Sequence, residues 1–247
     1  MKVNAQSAGA SSGPRTLFIG DLHLSADRPD ILAAFHRFLN TELMGADALY
    51  IVGDLFEAWI GDDDRNDFTD AVAAMLLKAS HQLPIYFCNG NRDFLLGQRF
   101  ARRAGMQLLP EVHCLELYGI NTVILHGDLL CTEDHDYQRF RRRWWLYKLL
   151  ARILPLSKRQ RMAADARARS KAKTQQLSQE IMDVTASAVE QMLCQHHASQ
   201  MIHGHTHRPA IHALAANKQR LVVGDWYHQD SVLVLRPDGC ELRSQPL

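Results

Sequence analysis

Five short apolar runs, each ending directly in residues of metal-ligand type, constrain this chain more than any other feature. Thr16-Leu17-Phe18-Ile19 leads into Asp21-Leu22-His23, and Ala48-Leu49-Tyr50-Ile51-Val52 into Gly53-Asp54. Pro84-Ile85-Tyr86-Phe87-Cys88 precedes Gly90-Asn91-Arg92-Asp93, and Thr122-Val123-Ile124-Leu125 precedes His126-Gly127-Asp128. The last, Gln200-Met201-Ile202, comes just before Gly204-His205-Thr206-His207. Runs of this length, bounded by turn residues, read as buried strands. Ligands from their carboxyl ends are expected to converge on one edge of a sheet, where open α/β sheets place their sites.

The stretches between the runs support that reading. Ile31, Phe35, Phe38, Leu39 and Leu43 recur at helical spacing, as do Phe68, Val72, Met75, Leu76 and Ala79. A third helix is expected from Phe94 to Ala104, stopped by Gly105. Strands alternating with helices imply a sheet covered on both faces. Beyond Val112 the style changes. Cys114-Leu115-Glu116-Leu117 and Thr122-Val123-Ile124-Leu125 flank Tyr118-Gly119-Ile120-Asn121 as a hairpin, and Arg220-Leu221-Val222-Val223 and Ser231-Val232-Leu233-Val234-Leu235 add late strands before a turn at Pro237-Asp238-Gly239.

With 247 residues, 47% of them hydrophobic, the chain suffices for one domain carrying an insertion. The core is expected to be residues 15–134 and 186–247, with a flexible leader at 1–14 and a helical lid at 135–185. The lid is expected to begin with a basic amphipathic helix containing Phe140, Trp144, Trp145, Tyr147, Leu149, Leu150, Ile153 and Leu154. A second helix runs from about Lys158 through Met162, Ala166 and Ala172. Charge marks the lid as a separate unit: Arg139 to Lys173 holds thirteen Lys or Arg and one acid, Asp165, which leaves the rest of the chain at net −11. Segregation of this kind suits an anionic partner. Cys88, Cys114, Cys131, Cys194 and Cys240 lack paired spacing, so reduced cytoplasmic thiols are expected. The apolar stretch Trp144 to Leu156 is broken by Lys148 and Arg152 and is too short to span a bilayer.

The chemistry follows from the ligand types. Carboxylates and an amide mixed with imidazoles suit Mn²⁺, Fe²⁺ or Zn²⁺ better than Ca²⁺. Asp21, His23, Asp54, Asn91, His126, His205 and His207 are too many for one ion. A shared carboxylate would hold two ions roughly 3.5–4 Å apart, able to polarise a phosphoryl group and lower the pKa of a bound water. His36, His81, His113, His196, His212 and His228 carry no motif and read as ordinary surface or core residues, whereas His203 is placed to orient a neighbouring ligand. Asp62-Asp63-Asp64 reads as a solvated turn, and Trp59 as packing or as a wall of the substrate cleft.

The ordered set D-x-H, G-D, G-N-x-D, H-G and G-H-x-H resembles the calcineurin-like metallophosphoesterases, which implies an α/β-β/α sandwich. The chain departs at Arg92, where that superfamily usually has His. A guanidinium binds phosphate as a fixed fork and cannot act as a general acid at neutral pH. A closer resemblance is to the UDP-2,3-diacylglucosamine hydrolases of lipid A biosynthesis, carried by Ala48 to Asp64, by Gly90 to Gly97, by Ile202 to Pro209 and, in the lid, by Ser170-Lys171 and Ile181-Met182-Asp183-Val184. It implies water attack at the α-phosphorus of the nucleotide pyrophosphate, giving UMP and 2,3-diacylglucosamine 1-phosphate, with Mn²⁺ as the usual metal. It further implies that Asp21, His23, Asp54 and His207 hold one ion and Asp54, Asn91, His126 and His205 the other. Arg92, Asp54 and His205 would be catalytic, with Asn91, Arg92, Asp134, Ser170, Thr174 and His205 contacting substrate. Leu177 stands where that family often has Lys, a contact that Lys173 is placed to replace.

A solvated helical hairpin would be the plain account of the lid. A basic, aromatic face also suits nucleic acid. The reading preferred here is an anionic inner-membrane surface reached from the cytoplasm, with acyl chains admitted along a Trp144-Trp145 stripe; no nucleic acid and no obligate protein partner are expected. Another two-metal phosphodiesterase or nuclease, and a silent metallophosphoesterase-like scaffold, are the alternative functions.

Overall fold

A computed structural model describes residues 13–174 and 183–247, the side chains of residues 166–174 excepted. Strands β1 (Thr16–Ile19), β2 (Ala48–Val52), β3 (Ile85–Cys88) and β4 (Met106–Leu108) run parallel; β10 (Gln229–Arg236) and β11 (Gly239–Pro246) join antiparallel, giving the order β11-β10-β1-β2-β3-β4. A second sheet has the order β5-β6-β7-β9-β8, built from β5 (Val112–Leu117), β6 (Ile120–Leu125), β7 (Gln200–His203), β8 (Ala210–Leu214) and β9 (Lys218–Val222). Successive strand residues face opposite ways. Leu17, Ile19, Leu49, Ile51 and Phe87 therefore pack outward against α1 (Pro29–Thr41), α2 (Asp67–Ser80) and α3 (Gln98–Arg103). Phe18, Tyr50 and Val52 face Ile124, Ile202 and Leu221 of the second sheet. The far side of that sheet, Val123, Leu125 and Met201, is covered by Val189 and Leu193 of α7 (Ala186–Gln195). Helix, sheet, sheet, helix is the resulting order of layers.

The five ligand-bearing runs are strands, as expected, but they divide between the sheets: β1, β2 and β3 in one, β6 and β7 in the other. The site therefore lies where two sheets bring their carboxyl ends together, rather than on one sheet's edge. Two strands, β4 and β8, had no clear alternating signal. The expected helix from Phe94 is only α3, because the backbone before it serves the site. Asp93 accepts from Leu55 N at 2.8 Å and Gly90 N at 2.8 Å, which holds residues 90–93 in a loop. Asp62, read as part of a solvated turn, accepts from Gly97 N, Arg99 N and Phe100 N and so caps α3. Its Oδ1 also takes the Trp59 indole N–H at 3.1 Å, and Trp59 packs on Phe56 and Phe100.

The expected amphipathic helix is two helices, α4 (His135–Arg141) and α5 (Trp144–Ile153), followed by α6 (Leu156–Thr174). Different anchors account for the break. Tyr137, Gln138 and Arg141 are held by the Asp128–Cys131 segment, whereas Trp144 stacks on Phe94 at 4.6 Å. Leu154 is extended, as a residue before proline prefers, and α5 ends there. Trp144 is 8% exposed and Trp145 67%, so the two tryptophans do not form one stripe. Neighbours in a helix point about 100° apart. The outward apolar face is instead Trp145, Leu149 and Ile153, each four residues on.

Candidate metal centre

Each of the seven expected ligands stands at or just beyond a strand end, and the structure brings all of them together. Asp21 (φ 51°), His23 (49°), Asp54 (50°), His205 (70°) and His207 (55°) sit in left-handed backbone. For residues with a Cβ this costs about 1–3 kcal/mol each. Such strain persists only where the surroundings enforce it, and here backbone hydrogen bonds do so: Asp21 N donates to Gly53 O at 3.1 Å, and His23 N to Asp54 O at 3.0 Å.

The two aspartates are held in the same way. Asp54 Oδ1 accepts from Arg92 N at 2.8 Å, and Asp21 Oδ2 from His205 N at 2.8 Å. Only glycine permits the approach, since a Cβ on Gly90 would lie 2.2 Å from Asp54 Oδ1 and one on Gly204 2.4 Å from Asp21 Oδ2. Each carboxylate therefore keeps its other oxygen for the site. Asp54 Oδ2 lies 3.9 Å from His23 Nε2 and 3.7 Å from His126 Nε2, between two groups of donors. On one side, His23 Nε2 is 3.3 Å from His207 Nε2, which is 3.5 Å from Asp21 Oδ1. On the other, Asn91 Oδ1 is 3.0 Å from His126 Nε2 and 2.9 Å from His205 Nδ1, with the two ring nitrogens 3.2 Å apart.

These distances suit cations. His126 Nδ1 donates to Val52 O at 3.0 Å, so Nε2 of the neutral ring carries a lone pair. That lone pair faces an amide oxygen and another imidazole nitrogen, and a single proton cannot satisfy all three. Asp21 Oδ1 is buried and makes no well-formed hydrogen bond. Buried polar atoms left this way are costly unless something binds them. The donors comprise carboxylate, amide and imidazole with no thiolate, a set that fits Mn²⁺, Fe²⁺ or Zn²⁺.

The carboxylates bear directly on the imidazoles. Burial works against a charged His126, yet Asp54, Asp21 and Asp128 raise it to about 9, so a cation at Nε2 would take the place of that proton. Burial and the neighbouring His126 depress His205 to about 3, leaving it neutral. Burial would raise Asp21, but the adjacent His207 and the other nearby imidazoles hold it below the usual carboxylate range.

Several contributing residues were not read from the sequence as ligands or substrate contacts. Asp128, 2% exposed, accepts from Tyr137 Oη at 2.5 Å and Arg141 Nε at 2.8 Å, so it fastens α4 to the site. Tyr137 then lies over His205, ring centres 6.2 Å apart. Burial opposes ionisation of Asp128, and the charges of His126 and Arg141 hold it below the usual range. Burial, with the charge of Asp54, pushes Asp93 up to about 7. His203, expected to orient a neighbouring ligand, is fully buried with Nδ1 on the adjacent Gly204 O at 2.8 Å. Arg159, also buried, donates to Ile60 O at 2.6 Å and pairs with Asp63, tying α6 to the loop that carries Trp59.

Of the expected substrate contacts, Asn91, Arg92 and His205 line the centre. Asp134 accepts from Tyr137 N at 3.0 Å as the N-cap of α4. Ser170, Lys173 and Thr174 fall on the last turns of α6, their side chains outside the described part; Leu177 and residues 1–12 lie outside it altogether.

The family model of the calcineurin-like phosphoesterases matches residues 14–209. A UDP-2,3-diacylglucosamine hydrolase of Shewanella sp. strain ANA-3 is 59% identical over 238 residues, covering 94% of this chain and 98% of that protein. Proteins of the same description from Shewanella baltica strain OS223 and Shewanella oneidensis strain MR-1 are 58% and 57% identical, with the same coverage.

Proposed function

The chain belongs to the calcineurin-like phosphoesterase family, and from that premise we propose that it hydrolyses the pyrophosphate bond of UDP-2,3-diacylglucosamine. Water attacks the α-phosphorus, and the products are UMP and 2,3-diacylglucosamine 1-phosphate. The observation that carries this reading is the pair of donor groups on either side of Asp54 Oδ2, with Arg92 beside them. The substrate is taken from the near-full-length relatives. Asp21, His23, Asp54 and His207 would hold one divalent ion and Asp54, Asn91, His126 and His205 a second, with Mn²⁺ the expected metal. Bound there, the ions would supply charge neutralisation of the phosphoryl oxygens and a more acidic attacking water.

The chain's own residues supply the rest. Arg92 is tethered through its backbone N–H to Asp54 and through its carbonyl to Trp59 N at 3.0 Å, so its guanidinium is held beside the donors. A permanently charged fork there binds the pyrophosphate and stabilises charge that grows in the transition state, without exchanging a proton. Asn91 and His205 touch both the ion position and the substrate. Asp134, Ser170 and Thr174 contact the lipid–sugar part.

Residues 135–185 act as the lid. Its outward face, Trp145, Leu149 and Ile153 flanked by exposed Lys148 and Arg152, rests on the anionic cytoplasmic face of the inner membrane. No described helix is long and apolar enough to cross a membrane, and the attachment proposed is peripheral. A two-metal nuclease is the competing reading. Turnover of UDP-2,3-diacylglucosamine in oxygen-18 water separates them: label in UMP supports attack at the α-phosphorus. Label in the sugar phosphate, or cleavage of nucleic acid and not of this substrate, would overturn the proposal.

A further inference from the structure

Among the described residues, one carboxylate links an expected metal ligand to the phosphoryl-binding arginine and belongs to neither set. We propose that Glu57 is a positioning residue of the centre, fixing the ring of His23 with one carboxylate oxygen and the guanidinium of Arg92 with the other. The inference rests on the two-ion reading above and adds to it a residue with no place in the ligand motifs.

Backbone pairing places Glu57. His23 N donates to Asp54 O at 3.0 Å, Leu24 N to Leu55 O at 2.9 Å, and Glu57 N back to Leu24 O at 3.1 Å. Leu24 and Phe56 form a parallel bridge there. The segment after β1 is thus zipped to the segment after β2, which sets Glu57 diagonally across from His23, one position beyond the Leu24–Phe56 pair. Its Oε2 then lies 3.2 Å from His23 Nδ1. That nitrogen is buried and makes no well-aligned hydrogen bond, so Glu57 is the acceptor it faces. Tyr227 stacks on the imidazole at 5.2 Å, which opposes its turning about the Cβ–Cγ bond. An acceptor at Nδ1 opposes that turning from the ring edge. With the proton on Nδ1, Nε2 presents its lone pair toward His207 and Asp54.

The second oxygen does different work. Glu57 Oε1 is 3.8 Å from Arg92 Nη1, an ionic contact longer than a hydrogen bond. Both side chains are about one-third exposed, so the pair is weak as a source of stability. Its value is directional. Arg92 has its backbone tethered to Asp54, and Glu57 draws the free end toward the side of the centre that holds His23. One carboxylate thereby couples the position of a ligand to that of the phosphate-binding fork.

The two functions separate by substitution in the full-length protein, since glutamine keeps an acceptor for His23 but no charge for Arg92. Mn²⁺ titration of the metal-stripped protein, followed by electron paramagnetic resonance, reads the first. Glu57→Ala should weaken one of two Mn²⁺ sites by roughly 10–100-fold and spare the other, and Glu57→Gln should recover much of that loss. A double-mutant cycle on kcat/KM with Arg92→Ala reads the second: the penalty of Arg92→Ala should shrink in both Glu57 variants. The Nδ1-H tautomer of His23, seen by nitrogen-15 NMR, should be lost in Glu57→Ala and retained in Glu57→Gln. Should Glu57→Ala fail to fold, the tautomer and Mn²⁺ affinity of Glu57→Asp, whose arm is one carbon shorter, answer the same question. Wild-type Mn²⁺ affinities in Glu57→Ala, or additive Arg92 and Glu57 effects, would overturn the proposal. Metal affinity is read without substrate, so a failure of the hydrolase reading would leave this result standing on its own.

Discussion

The metal centre and the helices α4–α6 are built on opposite principles. At the centre the supports are main-chain ones. Five of the seven expected ligands take left-handed conformations, and each aspartate has one oxygen tied to a main-chain N–H. The helices are held at a few side-chain points instead: Asp128 to Tyr137 and Arg141, Phe94 to Trp144, and Asp63 to Arg159. Between those points α5 leaves Trp145, Leu149 and Ile153 exposed. The proposed two-ion centre would need rigid support. The proposed lid, which would admit acyl chains, would need to yield, and few anchors allow that.

The contrast can be tested by breaking one region at a time. The largest effect is expected from Asp54→Ala, which removes the oxygen between the two donor groups. Activity should fall by at least about 1000-fold, and metal analysis should show both ions weakened while α4–α6 stay docked. Arg141→Met tests the other region. Arg141 is 11% exposed and leaves Asp128 buried without its charge partner, a loss of about 3–5 kcal/mol for such pairs. Hydrogen exchange should rise in α4 and α5 while metal content is unchanged. Because Asp128 is held below the usual carboxylate range, this anchor contributes fully at neutral pH and is lost as pH falls through that lowered pKa. Loss of metal in Arg141→Met would show that the two regions are not independent.

Arg92→Lys should cost about 10–1000-fold in kcat/KM, since a point charge does not reproduce the bidentate fork. Metal affinity should be kept. The smallest effect belongs to the outer face of α5. Lys148→Ala with Arg152→Ala should weaken sedimentation with anionic vesicles by about 1 kcal/mol per charge, with no change in the hydrolysis of a short-chain substrate. Unchanged vesicle binding would remove α5 from the membrane reading.

The same contrast explains what could be read from the sequence. Strand ends followed by Asp, Asn and His are local patterns, so the seven residues that cluster were legible as candidates, as were β1, β2, β3, β6, β7 and the hairpin at Tyr118-Gly119. Their division between two sheets was not, because strand order depends on pairings far apart in the chain. Asp62 looked like one acid in an acidic turn, and only the approach of Gly97, Arg99 and Phe100 makes it a cap. Trp144 and Trp145 looked alike, and a single aromatic partner, Phe94, sends one inward. Glu57, Asp128 and Arg159 act through partners that no spacing rule connects to them, with the exception that Asp128 follows the His-Gly pair directly.

The central claim is that one carboxylate, Asp54, serves two ions at once. Electron paramagnetic resonance of the full-length protein loaded with Mn²⁺ tests it most directly, alongside activity at each stage of loading. The account predicts that activity tracks a spin-coupled signal of two neighbouring Mn²⁺ ions, and that this signal vanishes in Asp54→Ala. Full activity with one isolated, uncoupled Mn²⁺ per chain would contradict it.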